Sequence, residues 1–144
     1  MRGEQVTKES LPRKRPFLLC VGLYRASLFR ERDVWFPPLH FGEDEATAIW
    51  LAYYADAIIF IAHEFYGYRR HTESATATAF RDWNEDYLDM GIWFRGAAAE
   101  RAPELAPYAE LLCSSQGHDM LISVIRAGDK AMLRAMGNLA PPCA

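Results

Sequence analysis

Residues 44–67 read DEATAIWLAYYADAIIFIAHEFYG, the most apolar stretch of the chain. A helix formed by these residues is apolar on nearly every side, which is typical of an element at the centre of a fold. Ile58–Ile61 alone would favour a strand, but no turn residue interrupts the stretch between Asp44 and Gly67, and its length favours a helix. The stretch therefore predicts a central helix over residues 44–66.

Three polar side chains of this helix, Glu45, Asp56 and His63, share one face at 100° per residue and are expected to be buried. A membrane span needs about 20 apolar residues. The apolar run from Ala46 to Ala62 is shorter and contains Asp56, whose charge would cost about 3 kcal/mol at mid-bilayer. A water-soluble protein without a membrane partner is the better interpretation.

A second long helix is predicted over about 73–95, because large apolar side chains recur in steps of three and four. They are Phe80, Trp83, Tyr87, Met90 and Phe94. Two long helices joined by a short turn run antiparallel. The predicted fold is therefore all-α: a single-domain antiparallel bundle of four to five helices, built on the hairpin of 44–66 and 73–95.

The domain is expected to span residues 16–137, between a flexible N-terminal arm at 1–15 and a tail at 138–144 that contains Pro141 and Pro142. Residues 16–32 favour a helix that begins at Pro16. Within it, the compact apolar run 17–24 is also compatible with a strand, and the sequence leaves this alternative open.

The C-terminal third shows two further helical patterns. Pro103 and Pro107 predict a connector from Gly96 to Pro107. A short helix from Pro107 to Cys113 and a last helix over 118–136 should follow, separated by a turn at Ser114–Gly117.

Composition limits the function classes. A formal charge of −3 over 144 residues gives no electrostatic reason to expect nucleic acid. Three widely spaced cysteines, Cys20, Cys113 and Cys143, indicate reduced thiols in a cytoplasmic protein rather than a zinc site or a disulfide framework. Phosphate-binding and nucleophile motifs are missing from the sequence. Neither a cofactor nor a catalytic residue is predicted, and the balance is against an enzyme.

One alternative is an enzyme or sensor with a carboxylate/histidine metal site inside the bundle, since helix bundles hold metals by projecting such side chains inward. Two facts weigh against this site: the Glu-x-x-His spacing is missing, and Asp56 lies about 10 Å along a helix axis from His63. The candidate ligands are Asp56, His63, Glu85, Asp86, Asp89 and His118.

The preferred interpretation is a small non-enzymatic protein-binding module. Four Trp and seven Tyr exceed what one small bundle easily buries, and exposed aromatics beside arginines are typical of protein–protein hot spots. An accessory or inhibitory protein of phage or mobile-element origin would fit, and the partner is another protein or a second copy of this chain. The candidate contact residues are Tyr66, Tyr68, Arg69, Arg70, Trp93 and Arg95.

Overall fold

The computed structural model describes residues 1–11, 18–39, 42–69, 71 and 83–128, and within these ranges the chain is helical and contains no strand. The predicted all-α class is confirmed. The five helices of the described residues are α1 (Gly3–Ser10), α2 (Ala26–Glu31), α3 (Glu43–Tyr54), α4 (Trp83–Arg101) and α5 (Ala106–Ala127). Two 3₁₀ turns, at Leu19–Val21 and Pro103–Leu105, lie in the connections.

The core is centred on Trp50 of α3, which is almost fully buried. Its ring packs on Phe94 of α4 with 5.2 Å between ring centroids, and on Tyr54 one turn further along α3. The guanidinium of Arg101 lies 4.9 Å from the Trp50 ring centroid, a cation–π distance. These contacts join α3 to α4.

Helices α4 and α5 form an antiparallel pair, because residue numbers fall along α5 as they rise along α4. Gln116 Nε2 lies 3.8 Å from Met90 Sδ, and Arg95 forms an ion pair with Glu110 at 3.6 Å. Between them, Gly91 lets the two backbones approach. The antiparallel hairpin observed here is thus α4 with α5. The predicted hairpin of 44–66 and 73–95 is not confirmed, since α3 ends at Tyr54 and residues 72–82 lie outside the described ranges.

The N-terminal arm was expected to be flexible, but residues 3–10 form α1, which packs against α3. Val6, Thr7 and Leu11 are fully buried. The hydroxyl of Thr7 donates a hydrogen bond to the carbonyl of Gly3 at 2.9 Å, which satisfies a polar group that burial would otherwise penalise. Within the arm expected at 1–15, residues 3–10 are thus helical and packed on α3, and residues 12–15 lie outside the described ranges.

Residues 18–39 contain shorter helical pieces than the predicted helix over 16–32. A 3₁₀ turn covers Leu19–Val21 and α2 covers Ala26–Glu31, so the described part of 17–24 is neither an α-helix nor a strand.

Two predicted interruptions in the C-terminal third are also wrong. Helix α4 passes through Gly96 and ends at Arg101, and α5 is continuous through Ser114–Gly117. Leu112, Cys113 and Gln116 are buried on this part of α5, and their packing outweighs the weak helix propensities of serine and glycine. The predicted tail at 138–144 lies outside the described ranges.

The close approach of α4 and α5 gives a prediction with an internal control. A Cβ at Gly91 would lie 2.1 Å from Gln116 Oε1 and 3.1 Å from Cys113 Cα. Gly91→Ala should therefore cost about 1–3 kcal/mol of overpacking, more than the gain in helix propensity of up to about 1 kcal/mol. Gly96→Ala on the same helix meets no atom within 4 Å and should instead stabilise the protein. Urea unfolding of both variants measures the change in the free energy of unfolding that each substitution causes. Equal changes at the two positions would contradict the close packing at Gly91.

Candidate functional site

The candidate site begins where α3 ends. Ala55 has an extended backbone (φ −75°, ψ 128°), and its carbonyl accepts a hydrogen bond from the N–H of Gly3 at 3.1 Å. The first turn of α1 thus provides a donor at the C-terminal end of α3, where helix carbonyls lack partners within their own helix. A Cβ at Gly3 would come within 1.9 Å of the Ala52 carbonyl oxygen, so this docking requires glycine. The chain then leaves the core.

A second contact fixes the direction in which the chain leaves. The amino group of Met1 donates to the carbonyl of Ile58 at 2.9 Å, and the N–H of Ile58 donates to the carbonyl of Met1 at 2.8 Å. This reciprocal exchange is the hydrogen-bonded pair of an antiparallel ladder. Residues 57–62 have neither helix nor turn nor a positive φ, so they are extended.

Residues 55–69, which we name the exit segment, expose their large apolar side chains. The exposed fractions are 84% for Ile59, 67% for Ile61 and 75% for Phe65. Phe60, Tyr66 and Tyr68 are at least half exposed. The predicted central helix over 44–66 is therefore correct only up to Tyr54, and the second half of the same apolar stretch faces solvent.

A neighbouring apolar stretch extends this surface. The side chain of Cys20 interacts with the hydroxyl of Tyr66, and this interaction raises the pKa of Tyr66 above its usual value. Residues 18–23 therefore lie beside the end of the exit segment, and Leu18, Val21 and Leu23 are exposed there. Both stretches thus expose apolar side chains outside the core.

The predicted contact residues divide into two groups. Tyr66, Tyr68 and Arg69 are exposed on the exit segment, as the protein-binding hypothesis requires, while Arg70 lies outside the described residues. Trp93 instead packs against the core from α4, and Arg95 is paired with Glu110. Sequence reasoning missed Ile59, Ile61 and Phe65, although the β-favouring run Ile58–Ile61 was the signal for a segment that leaves the helix.

The candidate metal ligands are spread over three elements. Asp56 and His63, expected to be buried, are both exposed on the exit segment, while Asp89 and His118 are exposed on α4 and α5. Glu85 and Asp86 lie on α4, and the structure describes only their backbone. In the part of the chain that the structure describes, no group of three His, Cys, Asp or Glu residues could hold a metal ion.

Two other polar arrangements were considered as sites. A groove of about 410 Å³ is lined by α1, Arg2 and Tyr108, and four of its polar side chains pair along α1, Lys8 with Glu4 and Gln5 with Glu9. The hydroxyl of Tyr53 donates to Glu104; this bond raises the pKa of Tyr53 to about 12 and lowers that of Glu104. This pair links α3 to the turn before α5.

Comparison with protein-family models, with curated proteins and with solved structures found no match for this chain. Among the described residues, no helix combines the length and the apolar character needed to cross a membrane.

The contact between Cys20 and Tyr66 gives a prediction on the continuity of the surface. The side-chain interaction with Cys20 and, after it, the coulombic effect of Cys20 both raise the pKa of Tyr66. Cys20→Ala removes both effects and should lower the pKa of Tyr66 toward that of a free tyrosine. Carbon-13 NMR titration of labelled tyrosine, with Tyr66→Phe to assign the signal, measures the shift. An unchanged pKa would mean that the two stretches do not touch.

Proposed function

We propose that this protein is a small non-enzymatic binding module that contacts another protein through the exit segment and the adjoining residues 18–23. The observation that carries the proposal is the exposure of Ile59, Ile61 and Phe65 on one extended segment. Single exposed apolar side chains are common, but contiguous ones mark interaction sites. The aromatic residues Tyr66 and Tyr68 next to Arg69 have the composition of a hot spot.

The size of the surface supports a protein partner. Each aromatic side chain can bury about 150–250 Å², and the six large apolar side chains of the exit segment are at least half exposed. Together they present roughly 700 Å², close to the ~800 Å² that one partner contributes to a standard interface.

The chemistry of the surface also favours protein over other ligands. The charges on the exit segment, Asp56, Glu64 and Arg69, are few and mixed in sign, so they provide no field for a polyanion such as nucleic acid. The surface is an extended segment on the outside of the protein, and it lacks the enclosed apolar volume in which small molecules are bound. An apolar surface on another folded chain is its best complement.

Photo-crosslinking at Phe65 tests the proposal, because Phe65 is expected to contact the protein partner. The substitution Phe65→p-benzoylphenylalanine should give a protein–protein crosslink on irradiation, because Phe65 is three-quarters exposed on the exit segment. Excess wild-type chain should compete this crosslink away, whereas excess Ile61→Asp chain should not, because a charge at Ile61 disfavours burial. Gel analysis of the irradiated samples provides the measurement.

The matched control is Leu111→p-benzoylphenylalanine, since Leu111 is a similarly exposed apolar residue on α5. It should give no competed crosslink. Equal yields at the two positions, or a crosslink from Phe65 to lipid rather than protein, would contradict the proposed function.

A further inference from the structure

Helix α1 and the residue before it are joined to the start of the exit segment through main-chain groups. The N–H of Gly3 donates to the carbonyl of Ala55 at 3.1 Å. The carbonyl of Met1 accepts from the N–H of Ile58 at 2.8 Å, and the amino group of Met1 donates to the carbonyl of Ile58 at 2.9 Å. Because these bonds use backbone groups of the exit segment, they depend on its extended path.

A continued α3 would need the same backbone groups. In an α-helix each N–H donates to the carbonyl four residues earlier. If α3 continued past Tyr54, the N–H of Ile58 would donate to the carbonyl of Tyr54. The carbonyl of Ala55 would accept from the N–H of Ile59. The single proton of the Ile58 N–H is instead donated to the carbonyl of Met1. Docking of α1 and a helical exit segment therefore exclude each other.

Steric contact at the end of α3 strengthens this exclusion. Ala55 has ψ 128°, whereas a helix has about −42°. In a continued helix the carbonyl of Ala52 would accept from the N–H of Asp56. Gly3 lies against this carbonyl, since a Cβ on Gly3 would come within 1.9 Å of its oxygen. The docked α1 therefore covers the end of α3 to which a further turn would be added.

The composition of the exit segment supports that further helix when α1 leaves. Residues 55–66 contain neither glycine nor proline, and their alanines and Glu64 are strong helix formers. The β-branched isoleucines weaken this preference without reversing the helical pattern of the whole stretch. Growth from the end of α3 extends an existing helix, so no new nucleation is needed. Gly67 is the next residue suited to end it.

We propose that α1 is a latch that controls the conformation of the exit segment. With α1 docked, residues 55–66 leave the helix; with α1 released, α3 continues through them to residue 66. The burial of Val6, Thr7 and Leu11 keeps α1 docked in the free protein. The inference rests on the proposed function in one respect, because it names the element that regulates the binding surface.

The latch regulates binding because the two conformations display different surfaces. Side chains two residues apart share one face of an extended chain, but they lie about 200° apart on a helix. Ile59 and Ile61, which are exposed together on the exit segment, would then point in nearly opposite directions. A partner that fits the extended arrangement therefore loses this pair when α3 continues.

Substitution at Gly3 tests the latch. Gly3→Val places a branched side chain against the Ala52 carbonyl and should release α1. The Cα and Cβ NMR shifts of residues 57–62 should then change from extended to helical values, and the yield of the competed Phe65 crosslink should fall. Adding Ile59→Pro to the Gly3→Val chain removes an N–H that a continued α3 needs, so it should abolish the helical shifts.

Two further variants separate the release of α1 from a loss of the fold. Gln5→Val places the same side chain on the exposed face of α1 and should leave the shifts of residues 57–62 extended. Val6→Ala weakens docking by removing buried methyl groups, so it should move these shifts in the same direction as Gly3→Val, by less. In every variant, the shifts of residues 83–127 report whether α4 and α5 remain folded.

Extended or random-coil shifts at residues 57–62 in a Gly3→Val chain with intact α4 and α5 would overturn the latch, as would helical shifts that survive Ile59→Pro. If Gly3→Val unfolds α4 and α5, Val6→Ala decides, and unchanged shifts in that variant would overturn the latch. A Gly3→Val chain that stays extended and keeps the competed Phe65 crosslink would overturn the latch alone. Helical shifts in Gly3→Val, beside a wild type without any Phe65 crosslink to protein, would overturn the proposed function and leave the conformational latch standing.

Discussion

The fold depends on the burial of Trp50. Its ring lies between α3 and α4 and packs against Phe94, and the guanidinium of Arg101 lies over the same ring. The same guanidinium donates hydrogen bonds to the carbonyls of Arg32 and Asp33, at 2.8 and 3.2 Å. The guanidinium of Arg101 therefore links the end of α4 to the residues that follow α2, and it also stacks on the Trp50 ring. An arginine suits this position because its planar group can stack on a ring and donate in its own plane.

This arrangement determines which part of the apolar stretch is buried. Ile49, Trp50, Leu51 and Ala52 are enclosed by the helices around α3. After Tyr54, the N–H of Gly3 in α1 donates a hydrogen bond to the carbonyl of Ala55, and Met1 pairs with Ile58. The chain becomes extended at the point where burial ends, and its apolar residues become a surface.

The helical class and the buried half of the central helix could be predicted from the sequence, because the periodicity and length of the Asp44–Tyr54 region are local properties. Its end at Tyr54 could not, since it depends on a contact with Gly3 some fifty residues away. The continuous α5 has a similar origin, because Gln116 and Leu112 are buried by α4 and no local pattern shows this. Of the candidate contact residues, Tyr66 and Tyr68 were found from composition. Trp93 was misassigned because composition cannot tell which aromatic side chains reach the core.

The central claim is that the helix stops at Tyr54 and leaves an exposed extended segment, and backbone NMR chemical shifts test it most directly. In dilute, monomeric protein, the Cα and Cβ shifts of residues 43–54 should be helical. Those of 57–62 should be extended, with fast amide exchange at Ile59 and Ile61. Helical shifts that continue without a break to residue 66, together with slow exchange at Ile59, would contradict the account.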